Sequence, residues 1–423
     1  MRATKNLFDG PKMSSTKKNT LECRAIRLRG RSGWRLANRN IEMHWLAGGG
    51  LLATLSRRTG AAAHQNLVWE SPWPIIEPHR YSEKKHGARY GGGAVAQMLS
   101  GYTGHALCLD YFGAPSPAEE SLGLPLHGEA GTRRWLLTKK SVRDGAAQLS
   151  MRVRVPSAGL TVQRDITLRE NESVAYVTET VANKNNRDRY FQWVQHATFG
   201  PPFLKETESI VAIPGTQSKT SPDDYGGHCA LATDQEFTWP HAPAYDGGTH
   251  DISQPFARKG RGFVATTLLG GGAPDSPFTY IAVLNWKLGL IAGYIFRRAD
   301  FPWAAIWEEN CSRADAPWHG TTQARGLEFG NTPLPLGLQH AINSGPLFST
   351  PAVGRVPAAG HATASYAIFA TEVPPTWKKI SCIEVRASAN ESVDAIAITG
   401  PQAGDQITLP ATHLAKLWPA TPK

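Results

Sequence analysis

Proton transfer at neutral pH calls for one group that gives a proton and one that takes it, held at different pKa values. Four segments of this chain carry residues suited to that work. In Gly123-Leu124-Pro125-Leu126-His127-Gly128-Glu129, a histidine is set in a tight turn between proline and glycine. A turn of that composition presents an imidazole rather than burying it. In Trp193-Val194-Gln195-His196-Ala197-Thr198-Phe199, followed by Gly200-Pro201-Pro202, His196 ends an aromatic-rich strand that runs into a Gly-Pro loop. A partly desolvated imidazole there can be tuned to donate or to accept. In Arg325-Gly326-Leu327-Glu328-Phe329-Gly330, Glu328 is the only acid between Asp315 and Glu372, within an apolar, glycine-rich strand. A carboxylate so placed either pairs with a cation or becomes a base of raised pKa. The fourth segment, Phe301 to Asn310 with Pro317-Trp318-His319-Gly320, brings Trp303, Trp307 and Trp318 close in sequence to Glu308, Glu309 and Asn310. Flat indoles stack on the apolar faces of pyranose rings, while Asn, Glu and His bond the hydroxyls.

Taken singly, each segment also fits a plainer role. His127 suits a surface turn, His196 a satisfied core histidine, Glu328 a salt bridge to an arginine, and the tryptophans a hydrophobic core.

The elements that would hold these residues read as β structure. Gln148 to Val155 alternates, with Leu149, Met151, Val153 and Val155 on one side and Ser150, Arg152 and Arg154 on the other. That period of two marks a strand with one wet face. Leu160 to Leu168 and Val174 to Val181 repeat it, which predicts a three-stranded meander. Phe278 to Leu284 and Gly289 to Phe296 predict a hairpin, Ala364 to Phe369 a late strand, and Gly48 to Leu55 a glycine turn entering a strand. No amphipathic helix longer than three turns is evident. Gly200 to Asp224 and Tyr245 to Gly262 are predicted as long loops.

Of 423 residues, 41 are glycine and 30 proline, a turn-rich composition with enough apolar material for a large core. The formal charge is +10, but much of the excess lies in the first 40 residues. Without a zinc-finger spacing, an RNA-binding signature or a basic heptad, nucleic-acid binding is not expected. Five scattered cysteines with no CxxC pair fit a reducing, cytoplasmic setting and argue against a zinc site. The basic start lacks a secretory h-region, and no long apolar run predicts a membrane span. The organisation expected is a basic, disordered arm over residues 1–33, one β domain over 34–380, and a tail over 381–423 that completes the sheet or docks beside it.

Together these segments resemble the aldose 1-epimerase, or galactose mutarotase-like, superfamily. Gly48 to Leu55 is similar to the family's glycine-rich opening hairpin, and Leu126-His127-Gly128 to its sugar-binding turn. Gln195-His196-Ala197-Thr198-Phe199 resembles the strand bearing its catalytic histidine, and Gly326-Leu327-Glu328 the strand bearing its catalytic glutamate. Gly200 and Phe329 depart from the family's usual residues, and its substrate-binding aspartate has only Asp246 as a match. The resemblance implies an all-β fold, a large antiparallel β-sandwich (supersandwich) with the sugar on the concave face of one sheet. It also implies interconversion of sugar anomers, with Glu328 as base, His196 as acid and His127 holding an oxygen. Asp246, Trp303, Trp307, Trp318 and Asn310 complete the expected site. No cofactor or metal is needed for such proton transfer. A non-catalytic sugar-binding protein of the same fold is the main alternative. A polysaccharide lyase or glycoside hydrolase using Glu308 or Glu309 is a further one. Arg133 and Arg134 suggest an anionic sugar at the pocket rim.

Overall fold

The computed structural model describes residues 21–387 and 393–418. Two large antiparallel sheets face each other, one of eleven strands and one of eight. The first sheet runs, at its centre, through His105–Cys108, Val194–Phe199, Gln323–Gly330, Trp303–Asn310 and Arg261–Leu269 in that spatial order. The second contains the predicted meander, observed as Ala146–Val155, Leu160–Arg169 and Val174–Asn183, and the predicted hairpin, Phe278–Asn285 with Leu290–Arg297. The late strand spans His361–Glu372.

The alternation read from sequence decides which side chains meet between the sheets. Leu149, Met151, Val153 and Val155 are buried there, while Arg152 and Arg154 face water. Each such aliphatic side chain stabilises the fold by roughly 1.5–3 kcal/mol. From the first sheet, Phe329 stacks on Phe296 of the second, ring centroids 4.2 Å apart. Leu327 and Ile306 join the same core.

A polar tie also crosses this core. Arg164 and Glu179 of the second sheet form an ion pair with both side chains buried. Glu179 accepts from the Trp193 indole at 2.9 Å and from Gln195 at 2.6 Å. The Arg164 guanidinium lies over Trp135 at 4.6 Å and Trp45 at 5.2 Å. A buried pair is tolerated only when its remaining donors and acceptors are met in this way.

Three sequence-based boundaries shift. Part of the arm expected over residues 1–33 is ordered, because Glu22–Leu28 and Arg31–Ala37 pair as a hairpin at the edge of the first sheet. Arginines on an edge strand, here Arg24 and Arg27, guard its open side against further pairing, which imitates a disordered basic arm in composition. Residues 1–20 lie outside the described residues. The expected loop after Gly200 contains the strands Ser209–Ala212 and Gly215–Thr220, and the one after Tyr245 contains Thr249–Asp251. The tail forms its own sheet of Cys382–Ala387, Val393–Thr399 and Gln406–Pro410. Ile383, Ile396, Ile398 and Trp418 pack with Tyr176, Tyr280 and Phe369, so the tail docks on the outside of the second sheet without extending it.

No helix among the described residues is long and apolar enough to cross a membrane.

Candidate active site

His196 and Glu328 occupy paired positions on neighbouring antiparallel strands, and Ala305 is the partner of Glu328 on the other side. Directly opposed residues point to the same face of a sheet. Phe329 points into the inter-sheet core, so its neighbour Glu328 points out of it, and His196 follows. The faces alternate strictly because the side-chain period of a strand is two. The outer face of the first sheet therefore carries His196, Thr198, Glu328, Ala305 and Trp307 together.

Nε2 of His196 lies 3.0 Å from Oε1 of Glu328. That oxygen has no well-aligned hydrogen-bond partner among the described residues. On its other side, Nδ1 of His196 lies 2.7 Å from the Tyr102 hydroxyl, which also bonds Thr198 Oγ1. The imidazole is thus held between a carboxyl and a phenol, and its tautomer follows from which of them donates. Gly326 makes room for the acid: a Cβ there would stand 2.2 Å from Oε1 of Glu328.

Burial sets the charge state. His196 and Glu328 expose only 4% and 3% of their surface. Burial pushes the Glu328 carboxyl well above the usual carboxylate range and lowers the His196 imidazole to about 3. Both shifts favour a protonated carboxyl beside a neutral imidazole over two charges stripped of water. The pair then holds one transferable proton and one vacant acceptor, the two requirements of acid–base catalysis.

His127 lies beside this arrangement and is half-buried. Its ring lies 5.3 Å from that of His196 and stacks on Phe112 at 5.1 Å. Its backbone is left-handed, φ 63°, and its Nδ1 accepts from the Gly113 amide at 2.9 Å. That bond fixes the proton of the neutral ring on Nε2, the nitrogen left free. Burial first, then the neighbouring His196 and the Arg313 charge, hold its pKa well below 6.5.

An aromatic wall surrounds the pair. Trp307 meets His196 edge to face at 5.9 Å, and Trp318 packs on Trp307 at 6.0 Å. Behind them Trp73 contacts Trp318 at 5.0 Å, and Trp69 contacts Tyr102 at 5.6 Å. Tyr225 accepts from the Trp307 indole at 2.8 Å and donates to Glu309 at 3.0 Å. Two of these rings rest on glycines: a Cβ at Gly200 would meet Trp69 at 2.4 Å, and one at Gly262 would meet Tyr225 at 2.2 Å. The glycine at 200 therefore has a packing reason.

Other expected residues lie elsewhere. Trp303 shares the face of Trp307 but is fully buried, its indole donating to Pro351 at 3.0 Å. Asn310 is buried on the opposite face, bonding the Phe256 carbonyl and Gln323. Asp246 is tied to Arg258 at 2.7 Å in an outlying loop. Arg325 turns away from Glu328 and holds Glu308 on the core side, where Glu308 also accepts from the Phe256 amide at 2.8 Å. Arg133 pairs with Glu129, and Arg134 lines an edge depression with Trp34. Neither arginine is seen at the His196 site; the cation there is Arg313. Sequence reasoning missed Tyr102, Tyr225 and Arg313. Thr198 was within reach, since two residues after His196 it shares the same face. Among the described residues no group of three or more His, Cys, Asp or Glu could hold a metal ion.

No family model matches the chain, and no curated protein matches it. Solved structures do resemble it. A candidate aldose 1-epimerase from Klebsiella pneumoniae superposes with a TM-score of 0.57 at 14% identity, over 81% of this chain and 80% of that one. A galactose mutarotase-like protein from Clostridium acetobutylicum gives 0.56 at 12% identity, over 84% and 99%. A candidate aldose 1-epimerase from Escherichia coli K12 gives 0.52 at 12%, over 81% and 100%. At such identities the likeness concerns architecture, and the fold of this chain is the galactose mutarotase-like β-sandwich.

Proposed function

We propose that this protein is an aldose 1-epimerase-like isomerase that interconverts the anomers of a sugar through His196 and Glu328. The observation that carries the reading is the buried carboxyl–imidazole pair 3.0 Å apart at the floor of an aromatic-walled face. The hydroxyl oxygen and the ring oxygen of a cyclic sugar are bonded to the same carbon. Two groups side by side can therefore serve both oxygens without flanking that carbon.

The starting protonation reverses the roles expected from sequence. Neutral His196 takes the proton of the C1 hydroxyl while Glu328 gives its proton to the ring oxygen. The C1–ring oxygen bond breaks and C1 becomes a carbonyl. The imidazolium and carboxylate so formed lie next to each other, which offsets much of the cost of charging them. After rotation about C1–C2, Glu328 takes back the proton of the open-chain hydroxyl. That oxygen closes on the other face of C1, and His196 returns its proton to the new C1 hydroxyl. Protons balance over the cycle and no cofactor enters. His127 Nε2, left free by its Gly113 bond, donates to a sugar oxygen, and Trp307 offers its face to the pyranose.

A non-catalytic sugar-binding role is the second reading, favoured by the mutual contact of the pair, which can lock both groups. Polarimetry on a panel of freshly dissolved aldoses separates the two. Acceleration lost by about 10²–10⁴-fold in Glu328→Gln and His196→Asn supports the isomerase. Binding without acceleration of any aldose would establish the second reading. Glu308 and Glu309, the carboxylates a hydrolase would need, are engaged with Arg325 and with Ser312 and Tyr225.

A further inference from the structure

Arg313 is unusual among the arginines of the described residues. Its guanidinium lies over three rings of the site wall: Tyr225 at 4.7 Å, Trp318 at 5.1 Å and Trp307 at 5.8 Å. Its side chain is 40% exposed and approaches one carboxylate, Glu309, at 3.4 Å through Nε. That separation is too long for a strong N–H···O bond. Glu309 is already met by the Ser312 amide at 2.6 Å, the Ser312 hydroxyl at 2.8 Å, the Arg313 amide at 3.1 Å and Tyr225 at 3.0 Å. Among the described residues the two terminal nitrogens of Arg313 have no hydrogen-bond acceptor. The aromatic faces fix the plane of the guanidinium, so little rotamer freedom remains to be lost on binding.

The position is as telling as the chemistry. One indole, Trp307, neighbours both Arg313, at 5.8 Å, and His196, at 5.9 Å. The Arg313 charge is felt at the His127 ring. Burial lowers His127 and His196 and raises Glu328, so all three are biased toward their neutral forms. The fixed charges at the site wall are thus Arg313 and the internally satisfied Glu309. A fork of donors beside the indole that contacts His196 matches an oxyanion carried on the sugar away from C1.

We infer that Arg313 is the substrate-selecting residue of this site, and that the sugar it selects carries a carboxylate or a phosphoryl group distal to its anomeric carbon. The inference rests on the isomerase reading for its chemistry, but its binding component can be measured separately. A guanidinium fork takes either oxyanion in a two-point contact that lysine cannot reproduce. The charge places a neutral sugar at a disadvantage without barring it.

The test titrates a neutral aldohexose, its 6-phosphate and its uronate into the full chain, following tryptophan fluorescence for binding and NMR exchange between anomers for rate. Inorganic phosphate alone serves as a further ligand. The expected result is an anion preference of about tenfold or more at low salt, the scale of one charge-assisted contact, shrinking as salt is raised. Arg313→Gln brings the anionic sugars to the affinity of the neutral one, and Arg313→Lys keeps part of the preference. The 6-phosphate and uronate arms decide which oxyanion is favoured. Equal affinities for all three sugars in the unaltered protein would overturn the inference, as would a preference that survives Arg313→Gln. Saturation by inorganic phosphate as tight as by the sugar phosphate would overturn it too, since the site would then read the oxyanion without the sugar. If anionic sugars bind through Arg313 and no anomer exchanges faster, the isomerase reading falls and the anion site stands. If neutral and anionic sugars are both turned over equally with or without Arg313, the isomerase stands and the anion site falls.

Discussion

The carboxyl of Glu328 lies over Gly326, two residues earlier on the same face, so closely that a Cβ on that glycine would stand 2.2 Å from Oε1. The glycine is what lets the acid bend along the strand toward His196. In Gly326→Ala the carboxyl must swing away from Nε2. Polarimetric or NMR anomerisation rates should fall at least about tenfold, the loss of roughly one oriented contact. The thermal midpoint should move by only a few degrees, as an alanine suits an extended backbone. Full rate in the Gly326→Ala variant would show that the 3.0 Å approach of His196 to Glu328 is not needed.

The pair should also leave a signature in the pH–rate profile. Glu328 titrates well above 4.5 and His196 near 3, both because of burial. Between those limits the pair keeps one proton, so kcat/KM should show no break at about 4.5 or 6.5, the values of the free side chains. Activity should fall on the alkaline side, as Glu328 loses its proton. A bell centred on those two ordinary values would mean that the groups titrate in water and not in a buried pair.

Tyr102 orients the catalytic imidazole through the 2.7 Å contact with Nδ1. It is a positioning residue, since its hydroxyl points at His196 and Thr198 within the wall. Tyr102→Phe keeps the ring that packs on Trp69 and removes only the hydroxyl. The rate should drop about tenfold, as for one lost positioning hydrogen bond, and, because burial still holds the ring low and Nδ1–H loses its acceptor, any acid limb should move further from neutrality. A drop in stability with an unshifted pH profile would assign the residue to packing alone.

Stability should decline on acidification from the buried histidines. His105 and His196 are held near 3 and His250 near 4, in each case first by burial. A folded-state pKa below the unfolded 6.5 means that the unfolded chain binds more protons as pH falls. Each such group therefore withdraws stability between about 6.5 and its folded value, at up to about 1.4 kcal/mol per pH unit. Glu328 acts in the opposite sense above 4.5, since its raised pKa favours the folded state in acid. With His79, His127 and His413 lowered as well, six described histidines stand against three raised carboxyls, Asp110, Asp300 and Glu328, and the net loss should be visible as falling urea midpoints from about pH 6.5 to 4.5. Flat midpoints over that range would contradict neutral burial of these rings.

The Arg164–Glu179 tie crosses the core to the strand that bears His196. Removing one partner leaves the other charged and dry, so Glu179→Gln and Arg164→Met should each cost about 3–5 kcal/mol in chemical denaturation. The double variant should be less destabilised than the two singles added together. Strict additivity would mean that the two charges do not depend on each other.

Much of the fold was legible along the chain because strand periodicity is local. Leu149, Met151, Val153 and Val155 announce a half-buried strand without knowing what they pack on, and the same holds for the hairpin after Phe278. The edge hairpin from Glu22 to Ala37 was hidden, since arginines that protect an edge look like those of an unfolded arm. Candidate chemistry was legible as well: His196 and Glu328 stand out by type and surroundings. Their meeting was implied by the family resemblance alone and not by spacing, because the register between Val194–Phe199 and Gln323–Gly330 depends on packing contributed by both sheets. Tyr102, Tyr225 and Arg313 reach the site from segments distant in sequence, so no spacing rule could name them. The charge state of the pair belongs wholly to the tertiary structure. A glutamate and a histidine are an anion and a near-neutral ring in water, and only exclusion of solvent by the surrounding strands and indoles makes the carboxyl keep its proton and the imidazole refuse one.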